Sequence, residues 1–372
     1  MNRISFINKR LYVNNSGHIS MEQSMKVLTA LFIAVILLAM TISTIAIAPL
    51  KIPAANSKSV NNTRKLPTNQ TNPNTSNSSI NTTNRLTSAG QQSITTHSKI
   101  SVVASFFPIY EFVKAVGGNK IDASVLIPIG TEPHDFDPTI QQIQKANSAN
   151  LLVYNGASME EPWIHELTPQ NEVDASKGIN LLTNPGDPEI KGPSDPHVWL
   201  DPVLAVKQVQ NIRDALDKVD PKNSAYYNQN AQNFIGQLDK LDAAFKNSLS
   251  SSNCAKSDFI PFHLAFAYFA KQYGLNVHPI HQGITPEGEI LPQKLVEVVN
   301  LAQKLGLKVI YSEDLIDPRS AQAIAEQIPG AKVMVLSPIE GINATEQKAG
   351  VGYLDKMHQD MAVLKIGLEC KT

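Results

Sequence analysis

A run of about thirty residues, 221–250, limits the architecture most: Tyr226, Phe234, Leu238, Leu241 and Phe245 recur there at near-helical spacing between polar side chains. It reads as one amphipathic helix roughly 45 Å long at 1.5 Å per residue, enough to span two lobes. On both sides of it, short apolar runs alternate with helical patterns. Before it come expected strands at 100–105, 123–129 and 151–154 and helices at 108–116, 140–149 and 201–219. After it come strands at 259–262, 309–312 and 332–336 and helices at 264–273, 295–305, 321–327 and 352–368. Strands that alternate with helices argue for parallel βαβ units. The expectation is therefore an α/β fold with two parallel-sheet lobes, 99–220 and 253–372, joined by the helix at 221–252. No internal sequence repeat relates the halves.

The first hundred residues are different in kind. The segment 27–50 has no charged side chain, and Arg3, Lys9, Arg10 and Lys26 precede it. As a helix it would cross the ~30 Å hydrocarbon layer, so it reads as a transmembrane anchor with residues 1–26 in the cytoplasm and the bulk of the chain outside. The competing reading is a signal peptide cleaved at Ala46-Ile47-Ala48, against which Pro49 speaks. Residues 51–98 are rich in Asn, Thr and Ser and offer almost nothing large and apolar to bury, which describes a disordered linker. Asn61, Asn69, Asn74, Asn77 and Asn81 each begin an N-x-Ser/Thr sequon there, and Asn343 begins another in the globular part. With 32 Lys and Arg against 33 Asp and Glu and no basic block in the globular part, nucleic acid is not an expected partner.

Three histidines stand in similar settings. His134 lies in the loop 130–138, between a strand and a helix, at the strand edge where open α/β sheets bind ligands. His197 lies in 195–202, Asp-Pro-His-Val-Trp-Leu-Asp-Pro, and His263 in 259–266, Phe-Ile-Pro-Phe-His-Leu-Ala-Phe. Three imidazoles at strand or loop ends point to a metal site, a context that His97, His165, His278, His281 and His358 lack. Cys254 and Cys370 bracket the second lobe; two cysteines in an exported chain favour a disulfide.

The segments around the three histidines resemble, in order and across 100–370, the metal-site segments of the solute-binding proteins of zinc and manganese ABC importers. The resemblance implies two α/β lobes joined by one long helix, a metal held in the cleft, and no catalysis. It makes His134, His197 and His263 ligands. The fourth ligand of that family is usually an Asp in a turn after the last strand, but here the turn 336–340 reads Leu-Ser-Pro-Ile-Glu. Glu340, Glu313 or a water is left to complete the shell. Zn2+ as the transported ligand is favoured over Mn2+ because manganese-type members replace the third histidine by a carboxylate, and manganese prefers oxygen-rich sites. Asp135, Glu132 and Asp201 are candidates to orient an imidazole through its second N–H. The 183–196 loop contains no histidine, unlike that of many zinc members. The implied partners are an ABC permease and its ATPase. Two rival classes are a zinc hydrolase, for which the chain offers no His-Glu-x-x-His, and a metal-buffering or adhesive surface protein.

Overall fold

The structure is a computed structural model that describes residues 99–183, 194–286 and 290–371. The expected anchor at 27–50 and linker at 51–98 lie outside the described residues. Among the described residues no helix is long and apolar enough to cross a membrane.

The first lobe begins with β1 (Ile100–Ala104), α1 (Phe107–Gly117), β2 (Ile121–Val125), α2 (Ile140–Ser148), β3 (Leu151–Tyr154) and β4 (Glu172–Asp174). The strands form one parallel sheet in the order β2-β1-β3-β4, with Val102 opposite both Ala123 and Leu151. A parallel sheet covered on both faces needs continuous apolar strands, and Val102, Val103, Ala104, Leu151, Leu152 and Val153 are all buried. Proline near its first turn starts α1, and Gly118 at φ 51° ends it in a backbone conformation that other residues resist. A reciprocal cap between Thr139 and Gln142 opens α2. Gln142 also donates from Nε2 to the Leu126 carbonyl at 2.9 Å, so both ends of the His134 loop are pinned to the edge of the sheet.

Next, α3 (Pro202–Val219) runs beside α4 (Ser224–Ser248). At 25 residues α4 is about 38 Å long, shorter than expected, because Pro221–Asn223 form a separate tight turn. The helix still bridges the halves. Phe234 packs on Phe112 of the first lobe at 5.8 Å, and Phe245 packs on Phe269 of the second at 5.0 Å between ring centres. Asp242 accepts hydrogen bonds from Gln272 and Tyr273, both at 3.2 Å.

The second lobe contains β5 (Asp258–Phe259), α5 (Ala267–Tyr273), β6 (Asn276–Val277), α6 (Pro292–Leu305), β7 (Val309–Ser312), α7 (Arg319–Glu326) and β8 (Lys332–Val335). Its strands pair in parallel as β5-β6 and β7-β8, and the Tyr311 amide donates to the Ile260 carbonyl at 3.0 Å to join the pairs. The expected strand 259–262 and helix 264–273 are both shortened: the chain between β5 and α5 is irregular and carries His263. A smaller apolar cluster that includes Ile260, Phe262, Val298, Ile310 and Ile324 fills this lobe.

Then come α8 (Ala344–Ala349) and α9 (Tyr353–Gly367), and α9 is a second bridge that its sequence did not announce. At its start Tyr353 meets Phe112 edge-on at 4.8 Å and donates to the Trp199 carbonyl at 2.6 Å, both in the first lobe. Near its end the Val363 carbonyl accepts from the Tyr311 hydroxyl of β7 at 3.0 Å. Beyond it the structure joins Cys370 to Cys254, at the entrance to the second lobe, through a disulfide.

Candidate metal centre

Four loops deliver one side chain each to a common point. His134 comes from the loop between β2 and α2, and His197 from the turn before α3. His263 comes from the segment between β5 and α5, and Glu340 from the turn after β8. One donor atom from each of these four lies within 4.8 Å of all the others. Glu340 Oε1 stands 3.1 Å from His134 Nε2, 3.0 Å from His197 Nε2 and 3.6 Å from His263 Nε2, and the last two nitrogens are 3.2 Å apart. For bonds of about 2.0–2.1 Å to a tetrahedral centre, donors should be separated by about 3.3 Å. The observed spacings bracket that value.

The outer partners decide what those nitrogens offer. Asp195 Oδ1 accepts from the His197 backbone N–H at 3.0 Å and faces its Nδ1 at 2.8 Å. Glu313 Oε1 does the same for His263, at 3.1 Å from the backbone N–H and 2.7 Å from Nδ1. A carboxylate opposite Nδ1 fixes the proton there, so Nε2 presents a lone pair inward. Two such lone pairs and a carboxylate oxygen repel one another unless a cation or protons lie between them. Asp195 Oδ2 and Glu313 Oε2 are also buried without a hydrogen-bond partner among the described residues, which adds to the negative potential around the cluster. These residues fit a divalent cation.

Without metal, protons take over that role. Burial lowers the pKa of His197, but the hydrogen bonds and charge of Asp195 and Glu340 outweigh it and raise the group above its ordinary value. His263 rises well above its own for the matching reason, with burial opposed by Glu313 and Glu340. Burial pushes Glu340 up, yet the three histidines hold its carboxyl well below the usual range. Glu132 behaves oppositely: burial, reinforced by the charge of Glu340, pushes it up to about 9.

The turn that carries Glu340 is held from both lobes. Trp199 Nε1 donates to the Pro338 carbonyl at 2.8 Å from the first lobe. From the second, Asp360 Oδ1 accepts from the Ser337 amide at 2.8 Å, and the Ser337 hydroxyl donates to Asp314 and accepts from the Ile339 amide. Lys356, nearly buried, balances Asp314 at 2.9 Å and Glu346 at 3.0 Å. Ile339 has φ 58°, a conformation costly for a β-branched side chain and worth about 1–3 kcal/mol of local strain. This network of bonds holds it there and turns Glu340 inward.

Of the sequence candidates, His134, His197, His263 and Glu340 therefore come together. Glu313 stands one shell out, on the far side of the His263 ring. Among the described residues Glu132 hydrogen-bonds the backbone N–H of His134, at 3.3 Å, and no imidazole. Asp201 caps α3 through the Val203 amide instead of orienting an imidazole, and Asp135 is exposed. Asp195 was passed over, although an Asp two residues before His197 is the spacing of a local Asx turn.

Two sheet-based lobes that bring three imidazoles and a carboxylate to one point have the donor set of a metal-binding protein, and the comparisons specify which. The family model for "Zinc-uptake complex component A periplasmic" matches residues 102–367, and the chain belongs to that family. It is 38% identical over 288 residues to the high-affinity zinc uptake system protein ZnuA of Bacillus subtilis, covering 74% of this chain and 89% of that protein. To the zinc-binding protein AdcA of Streptococcus pyogenes it is 34% identical over 306 residues, 76% of this chain but 58% of the longer relative. The Zn(II)-bound ZnuA-like domain of Streptococcus pneumoniae AdcA superposes with a TM-score of 0.64 at 31% identity, covering 73% of this chain and all of that one.

Proposed function

We propose that this chain captures Zn2+ between its lobes on the outer side of the membrane and delivers it to an ABC permease driven by its ATPase, with no chemistry of its own. The observation that carries this reading is the quartet of His134, His197, His263 and Glu340, four converging acceptors with spacings suited to a tetrahedral ion. Three imidazoles suit zinc, whereas manganese favours more oxygen. A hydrolytic zinc keeps one position open for water, and here a fourth protein donor faces that position. Membership of the zinc-uptake family supports transport over storage.

Within this proposal residues 99–220 supply His134 and His197, residues 253–372 supply His263 and Glu340, and 221–252 joins them. The segment 27–50 serves as an uncleaved anchor and 51–98 as its tether. Mature protein from membranes should then retain residues before Pro49; an N-terminus at Pro49 or later in a soluble fraction would replace the anchor by a signal peptide. For transport, cells lacking this protein should take up radioactive zinc slowly at limiting supply. Uptake should return with the intact chain and not with His263→Ala. Unchanged uptake in the deleted cells would move the reading to a zinc-buffering surface protein.

A further inference from the structure

The seven sequons divide into six before residue 99, Asn14-Asn15-Ser16 being the first, and one, Asn343-Ala344-Thr345, inside the globular part. Glycosylation needs an asparagine whose amide nitrogen is free and whose backbone can be reached. Asn343 is exposed, as are Ala344 and Thr345, and it has the extended conformation φ −80°, ψ 169°. Its side chain is used from one end only. Oδ1 accepts from the Thr345 amide at 2.9 Å and the Glu346 amide at 3.0 Å, and caps α8. Nδ2 makes no hydrogen bond among the described residues.

That division of labour matters because the glycosidic bond forms at Nδ2 and leaves Oδ1 an acceptor, so a modified Asn343 still caps its helix. The platform beneath is firm. Glu346 accepts from the Asn343 amide at 3.0 Å through Oε2 and from the nearly buried Lys356 through Oε1, also at 3.0 Å. The place is informative too: Asn343 follows Glu340 by three residues, and the Ile342 carbonyl lies 3.9 Å from where a side chain on Gly130 would begin. A glycan here would rise from the rim where the Glu340 turn meets the loop of His134.

We propose that Asn343 is an N-glycosylation site, an inference that rests on the extracytoplasmic location given above. The Nδ2 atom bonds to the anomeric carbon of a glycan carried on a lipid phosphate, in a step catalysed by a membrane transferase. The anomeric carbon–oxygen bond breaks, the lipid phosphate leaves with the electron pair, and the amide gives up one proton.

The test uses the full chain isolated from the membranes of its own cells. Trypsin, cleaving after Lys332 and Lys348, should release residues 333–348 as one peptide, and mass spectrometry should find it heavier by a discrete glycan attached at Asn343. Asn343→Asp, which keeps the capping oxygen, should give the bare peptide and an unchanged melting temperature. Thr345→Ala should also give the bare peptide, and Thr345→Ser should keep the glycan. A bare wild-type peptide beside glycosylated Asn61, Asn69, Asn74, Asn77 or Asn81 overturns the inference and leaves the location standing. A chain bare at every sequon overturns it as well; cleavage of the globular part by protease added to intact cells then reads the location independently.

Discussion

His197 and His263 enter the centre from opposite lobes, yet each is gripped in the same way: one carboxylate oxygen bridges the backbone N–H and ring Nδ1 of the same residue. The partner of His197 is two residues away and that of His263 fifty, so the same device has been assembled once by a local turn and once by the fold. His134 lacks it. Its ring nitrogen meets Glu340 and its backbone meets Glu132, but no carboxylate stands at its Nδ1 among the described residues. The pair forms a fixed platform, and His134 is the proposed ligand whose orientation the protein controls least. Preorganised donors lose little on binding, so the two kinds of histidine should differ in what their loss costs.

The largest expected effect is the loss of a platform histidine. At a thousandfold excess over the dissociation constant, zinc should stabilise the protein by about 4 kcal/mol. His197→Ala or His263→Ala should remove most of the resulting rise in melting temperature, and His134→Ala should remove less of it. A His134→Ala variant that loses as much as the other two, measured by calorimetry with and without zinc, would end the distinction.

Smaller but still large is the effect of the outer carboxylates. Asp195→Asn and Glu313→Gln should each weaken zinc binding by about 10–100-fold, because a neutral amide no longer polarises the imidazole it holds. Competition titration against a zinc-sensitive dye measures both. Similar losses sharpen the claim of one device built twice; a loss confined to one of them breaks it.

The pH dependence should follow from the same contacts. In the metal-free protein His197 and His263 have pKa values raised above 6.5. Their contribution to stability is therefore complete below the unfolded value and is lost as pH rises through the folded ones. Zinc has to displace those protons, so its affinity should climb over the same window, above the ordinary histidine range. Glu340, depressed well below 4.5, contributes stability that is present above that value and lost only as pH falls through its folded pKa. Melting curves from about pH 6 to about pH 9 should show the metal-free form weakening while the zinc-induced rise grows. A zinc-induced rise independent of pH would mean that no proton leaves the site.

Glu132→Gln should have the smallest effect. Pushed up to about 9, the Glu132 carboxyl carries a proton at neutral pH, and glutamine reproduces its shape and neutrality. Zinc affinity should change less than in either outer carboxylate variant. A loss as large as that of Glu313→Gln would make Glu132 a charged partner of the metal.

The α/β rhythm was legible because it rests on local periodicity: β3 and β7 have the bounds their apolar runs suggest, and the three histidines stood in recognisable segments. What escaped was local structure without an apolar stripe, or pairing between distant segments. The edge strand β4, Glu-Val-Asp, is too short and polar to show a period. The six residues of α8 bury nothing, and the signal available was the reciprocal cap between Asn343 and Glu346. Glu340 and Glu313 were interchangeable on paper. Only the fold places one among the Nε2 atoms and the other against Nδ1, because the Ser337 to Ile339 turn is bent back by Asp314, Asp360 and Trp199.

The account's central claim is that His134, His197, His263 and Glu340 together hold one zinc ion. X-ray absorption at the zinc edge of the purified, singly loaded protein tests it most directly, with the same measurement on Glu340→Gln. The account predicts one equivalent of zinc with four nitrogen or oxygen neighbours at about 2.0–2.1 Å, three of them imidazoles, and a first shell altered in the variant. A sulfur neighbour, fewer than three imidazoles, or an unchanged shell in Glu340→Gln would contradict it.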